Sequence, residues 1–161
     1  VLDCRGIPYC VDVEHGYVSV AFATDEVDRV QLMIAPADGD RGLRFDAVLP
    51  DRLAEAELPL AAALDRALGA ARAGCRLAVD PVTRSAHVTT RLRATDAWGR
   101  GRRLEAVIGH AADQAGRVHA ALVRARAGEA LAACVAPVAA AQEALEADGE
   151  PQRGRRATER G

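Results

Sequence analysis

The chain has 161 residues and a formal net charge of −2, a length that suits one domain with a sizeable core. That charge balance gives no electrostatic reason to expect nucleic-acid binding. The longest apolar run, 130–141, is mostly alanine, contains Pro137, and is too short and too weakly hydrophobic to span a bilayer.

With 36 alanines and five aromatic residues, the core has to be built from Leu, Val and Ala. All 21 basic residues are arginine, lysine and asparagine are absent, and isoleucine occurs three times. This is the signature of a genome rich in G and C rather than of arginines chosen for their bidentate geometry. No basic region followed by an apolar core marks the amino terminus, and the expected location is the cytoplasm. There the scattered Cys4, Cys10, Cys75 and Cys134 are most simply free thiols. The chain begins with Val1 rather than methionine, as a fragment or an alternative start codon would.

In chain order, residues 9–49 predict two β-hairpins. Tyr9, Val11 and Val13 alternate with Cys10, Asp12 and Glu14, and His15-Gly16 supplies a turn. Val18, Val20 and Phe22 alternate with Tyr17, Ser19 and Ala21; Val30, Leu32 and Ile34 follow against Gln31 and Met33. After the turn-forming loop 36–42, Leu43, Phe45, Ala47 and Leu49 oppose Arg44, Asp46 and Val48. Each strand has one more apolar face, as in an antiparallel sheet covered on one side. Pro50 is expected to end the strands, 51–58 to form a short helical turn, and Pro59 to start a helix with the stripe Leu60, Leu64, Leu68 and Ala71, stopped by Gly74.

Residues 75–93 read as a third hairpin, turning at Pro81-Val82-Thr83-Arg84, with Ala86, Val88, Thr90 and Leu92 on one face and His87, Thr89, Arg91 and Arg93 on the other. The loop 94–101 precedes a change of period. Leu104, Ile108, Ala111, Ala115, Val118 and Leu122 then form one helical stripe. Gly128 interrupts this helix. Leu131, Val135, Val138 and Leu145 suggest another, weakened by Pro137. From Asp148 onward no apolar periodicity remains, and the tail 148–161 reads as disordered, its arginines solvated.

Catalytic signatures are sparse. His110 and Asp113 lie three apart on a helix and, with His119, are the best candidates for a metal-dependent module, but no third ligand is placed by spacing and a solvated helix face is favoured. His15 and His87 read as surface residues. Cys4 and Cys10 are spaced for neither a redox pair nor a common zinc finger. Ser19 and Ser85 lie outside any nucleophile elbow. Gly99-Arg100-Gly101-Arg102-Arg103 precedes a helix, where amides can bind anions, yet it lacks the phosphate-loop pattern and reads as a flexible lead into the helix, with Trp98 as a hydrophobic clamp.

The order hairpin, hairpin, helix, hairpin, long helix, together with Leu77-Ala-Val-Asp-Pro-Val-Thr-Arg-Ser-Ala-His-Val and the helix 104–122, resembles the YbjN family, whose fold is similar to that of type III secretion chaperones. Asp80, Val88, Leu92, Leu104 and Val118 fall where the family pattern wants them, and the resemblance covers about residues 9–124. Two departures stand out. Arg84 occupies the turn where the family often carries glycine, and the family usually opens with a helix, whereas eight residues precede Tyr9 here. Loss of that helix would leave part of the sheet uncovered, unless the Ala-rich segment 129–147 covers it.

The fold expected is α+β, an antiparallel sheet of about six strands with helices on one face. The division expected is a chaperone-like domain over 1–127, an Ala-rich helical extension over 128–147, and the tail. The resemblance implies a non-enzymatic, peptide-binding chaperone or adaptor, commonly a dimer, with a client protein or peptide as partner and no cofactor, metal, nucleic acid or membrane. On the face opposite the core, Tyr17, Ala21, Met33 and Val48 are the apolar exceptions and the candidate peptide-binding residues. A small metal-dependent enzyme and a purely structural dimerisation domain are the alternatives.

Overall fold

A computed structural model of the chain describes residues 8–37, 42–93 and 101–149. Six strands, β1 (Tyr9–Asp12), β2 (Tyr17–Phe22), β3 (Val30–Pro36), β4 (Gly42–Arg52), β5 (Cys75–Val79) and β6 (Ser85–Arg93), form one sheet in the order β1-β2-β3-β4-β6-β5. Every neighbouring pair is antiparallel. Three α-helices accompany the sheet among the described residues: α1 (Leu58–Ala70), α2 (Gly101–Arg126) and α3 (Leu131–Gly149). The α+β architecture with helices on one side follows the period-two alternation of the strands.

Val20, Leu32, Phe45, Ala47, Val88 and Leu77 point to the helical side and are buried there, against Leu64 and Leu68 of α1 and Ile108, Ala115, Val118 and Leu122 of α2. Helix α3 packs on α1 and α2 and adds Cys134, Val135 and Val138 to the same core. One polar network runs through it. Gln114 accepts a hydrogen bond from the Thr90 hydroxyl at 2.7 Å and donates to the Ala73 carbonyl at 2.6 Å and to Gln142 at 3.3 Å. Thr90, on the apolar face of its strand, is thus buried and satisfied. Gly74 makes room for this network, because a Cβ there would overlap the side-chain amide of Gln142.

Several boundaries differ from those the sequence predicts. Pro50 does not end β4; the strand continues to Arg52 through an irregularity between Val48 and Arg52, a position that tolerates a residue without an amide donor. The turn that follows is a short 3-10 helix over Glu55–Glu57. Helix α1 stops before Gly74: Ala73 N–H donates to Leu68 O and Arg72 N–H to Gly69 O, with Arg72 in the left-handed conformation at φ 53°. This is a Schellman cap built on arginine instead of glycine. Gly128, at φ 88°, does end α2 in the same way, with Glu129 N–H on Arg124 O and Gly128 N–H on Ala125 O. Pro137 lies inside an unbroken α3. The carbonyl it leaves without an amide donor, that of Ala133, accepts a hydrogen bond from Arg124 Nη2 at 3.3 Å.

The two tight hairpins are alike. Val13–Gly16 and Pro81–Arg84 each close on a left-handed last residue, Gly16 at φ 70° and Arg84 at φ 61°, whose amide donates to the carbonyl of Asp12 or Asp80 at 2.9 Å. Asp80 Oδ1 also accepts the Val82 and Thr83 amides and fixes the second turn. Val13 therefore sits in a loop, 86% exposed, not on a strand face. Tyr9 and Val11 do face the helical side, yet stay 41% and 54% exposed. Segment 131–149 packs on the other helices instead of covering β1, so this end of the sheet is bare among the described residues.

The expected tail lies outside the described residues from 150 on, as do Cys4, Trp98, Gly99 and Arg100 and the side chains of Leu92, Arg93, Arg102, Arg103 and Leu104.

Candidate functional site

The sheet face turned away from the helices carries the more polar set of each alternation. In register across the strands lie Ala21, Gln31, Val48, His87 and Ala78 in one row, and Ser19, Met33, Asp46, Thr89 and Arg76 in the next. Among the described residues no helix packs on this face. Tyr17, Ala21, Met33 and Val48 all lie on it, each partly or fully exposed. The nearest cross-strand neighbours of the last three are polar: Gln31 stands between Ala21 and Val48, and Met33 stands between Ser19 and Asp46. The apolar side chains are therefore interleaved with hydrogen-bonding groups. Gln31 Nε2 donates to Ser19 Oγ at 3.1 Å, and Asp46 accepts from Arg44 Nε and Thr89 Oγ1, both at 2.7 Å. The Tyr17 phenol is held above its usual pKa by the Asp12 carboxylate, which its hydroxyl faces.

Toward β5 the face becomes cationic. An open recess of about 560 Å³, between the end of α1 and the β5–β6 hairpin, is lined by Arg72, Arg76, Arg91 and Thr89 over a floor of Leu68 and Cys75. The Schellman cap of α1 holds Arg72 at its rim, while period-two alternation puts Arg76 and Arg91 on the open side of their strands. Asp65 pairs with Arg76, and its Oδ1 also accepts the Leu77 amide at 2.9 Å. The Arg76 guanidinium above all, with the Leu77 amide beside it, holds the Asp65 carboxyl below the usual range. Leu77 N–H faces away from β6, so Asp65 closes a donor on the outer edge of β5 and discourages another strand from adding there. Burial pushes the Cys75 thiol up to about 12, so it is inert at neutral pH.

The residues of the metal-site alternative are not brought together. His110 is half-buried and meets Gln142 Oε1 at 3.3 Å; burial is the main cause of its lowered pKa. Asp113 is exposed, and His119 meets Asp51 Oδ2 at 3.2 Å in an ion-pair group with Arg126 and Glu57. Among the described residues no group of three His, Cys, Asp or Glu side chains is arranged to hold a metal ion. His15 and His87 are at the surface, as the sequence suggests; His15 bonds Asp12 at 3.1 Å. Cys10, Cys75 and Cys134 are free thiols. No described helix is long and apolar enough to cross a membrane.

The arginine recess could not be read from the sequence. Arg72, Arg76 and Arg91 belong to a helix cap and two strands, and no spacing links them until the hairpin register is known. The chain matches no family model, no curated protein and no solved structure in comparisons with each.

Proposed function

We propose that the protein is a non-enzymatic binding domain, a chaperone or adaptor that holds an extended segment of a client protein on its helix-free sheet face. The observation that carries this reading is the placement of the three described helices on one side of a six-stranded sheet, which leaves the opposite face open among the described residues, with Tyr17, Ala21, Met33 and Val48 at intervals among hydrogen-bonding groups. Such a surface suits a chain whose side chains alternate. Apolar groups meet Met33 and Val48, while polar groups meet Gln31, Ser19 and the arginines. The face interleaves apolar and hydrogen-bonding side chains rather than being deeply apolar, which favours a reversible partner over a permanent one. The resemblance to the YbjN family implies the same class of function.

The test is an array of immobilised twelve-residue peptides probed with the full chain and with Met33→Asp and Val48→Asp variants. A subset of extended sequences should be bound, and each substitution should weaken that subset by about tenfold. Binding that ignores both substitutions would refute the proposal. His119→Ala, on the helical side, should leave the array pattern unchanged.

A further inference from the structure

Resting on that docking face, we propose that the recess at the β5 side is an oxyanion subsite that takes a carboxylate side chain of the docked segment, so that the partner is an acidic extended peptide. Four guanidinium groups gather in this corner: Arg72, Arg76 and Arg91 line the recess, and Arg44 stands directly opposite Arg91 across the β4–β6 pair. Among the described residues, two carboxylates pair with them. Asp46 is engaged by Arg44 and Thr89, and Asp65 by Arg76 and the Leu77 amide. Counted over the described residues, the corner is positive in a chain whose formal net charge is −2.

The excess resides on Arg72 and Arg91, whose guanidinium groups make no hydrogen bond or ion pair with any described residue. Arg44, across from Arg91, already has Asp46 as its counter-ion, so that carboxylate does not serve Arg91 as well. An anion beside Arg91 would supply the counter-ion that this guanidinium does not find among the described residues. Arg72 holds a left-handed conformation that glycine would adopt freely, which keeps its side chain at the rim of the recess. A carboxylate matches the planar fork of a guanidinium, and arginine gives up less hydration than lysine in binding it. A recess of about 560 Å³ admits an acidic side chain together with part of its backbone. Because Asp65 already takes the Leu77 amide on the outer edge of β5, strand addition there would have to displace it, and the segment reaches the recess across the sheet face instead.

The experiment is fluorescence anisotropy with the full chain and two labelled twelve-residue peptides, one alternating Val and Glu, the other Val and Gln. The Glu peptide should bind about tenfold more tightly at low ionic strength, with the advantage fading as salt approaches about 1 M. Arg72→Gln combined with Arg91→Gln should remove that advantage. Arg29→Gln combined with Arg52→Gln, which changes the net charge equally at exposed positions elsewhere, should retain it. Equal losses in the two double variants would mean attraction to overall charge and would overturn the subsite. Inorganic phosphate that saturates the recess without displacing the Glu peptide would overturn the peptide as its occupant. If Met33→Asp weakens both peptides but Arg72→Gln with Arg91→Gln affects neither, the docking face stands and the subsite falls. If only the arginine substitutions matter, the subsite stands and the docking face falls.

Discussion

Arg72 and Arg84 are the two described residues other than glycine with a left-handed backbone, and each sits where glycine would be at ease. Arg84 ends the β5–β6 turn, where its carbonyl accepts the Leu53 amide at 2.9 Å and its guanidinium reaches Glu55 at 3.3 Å. The Glu55 contact is exposed and adds little. Arg84→Gly should therefore stabilise the fold by about 0.5–1 kcal/mol, and Arg72→Gly by a similar amount, read as higher urea midpoints with unchanged slope. Lower midpoints would show that the side chains carry more than the backbone conformation costs. His110 gives a pH signature. Its pKa is lowered from 6.5 by burial, so below that value the unfolded chain takes up a proton that the native state resists. Stability should fall as the pH drops through about 6.5 toward its folded pKa. The carboxylates with lowered pKa, such as Asp51 and Asp65, lose their contribution only in more acidic solution, below the ordinary aspartate value of 3.8. Midpoints measured at successive pH values should show the upper phase disappear in His110→Gln; an unchanged profile would assign it elsewhere.

The elements were legible wherever one residue type carried one meaning. Period-two alternation located β2, β3, β4 and β6, and the stripe from Ile108 to Leu122 located α2, because burial on one face selects apolar residues at a fixed interval. The end of α1 was not legible, since an arginine does what glycine usually does. Val13 misled because alternation continues into the loop that the Gly16 turn requires. Pro137 misled because its effect depends on a side chain from another helix. Arg124, bonded to Glu129 and to the Ala133 carbonyl, replaces the hydrogen bond that Pro137 cannot donate. Pro137→Ala should accordingly raise stability by about 1–3 kcal/mol, and Arg124→Ala should be more damaging with Pro137 present than in the Pro137→Ala background. Additive effects in that double-mutant cycle would remove the link between the two residues.

At the level of the molecule, the sheet has two unlike faces and two unlike ends. One face is covered by helices except at β1, and the other is open among the described residues. The β5 edge is closed at Leu77 by Asp65, whereas β1 leaves Tyr9 and Val11 exposed. The open face could be read from the sequence as a set of residues, but its division into an apolar stretch and a cationic corner could not, because that division depends on strand order. β4 pairs with β6 rather than with β5, and this sets Arg44 beside Arg91. The most direct test of the docking face is backbone-amide NMR of the full chain titrated with an acidic extended peptide. Shifts should centre on Ser19, Ala21, Gln31, Met33, Asp46, Val48 and Arg91, with the exposed surface of α3 unmoved. Shifts centred on α3, or on the Asp51, His119 and Arg126 group, with the sheet face silent, would contradict the docking of a client on the open sheet.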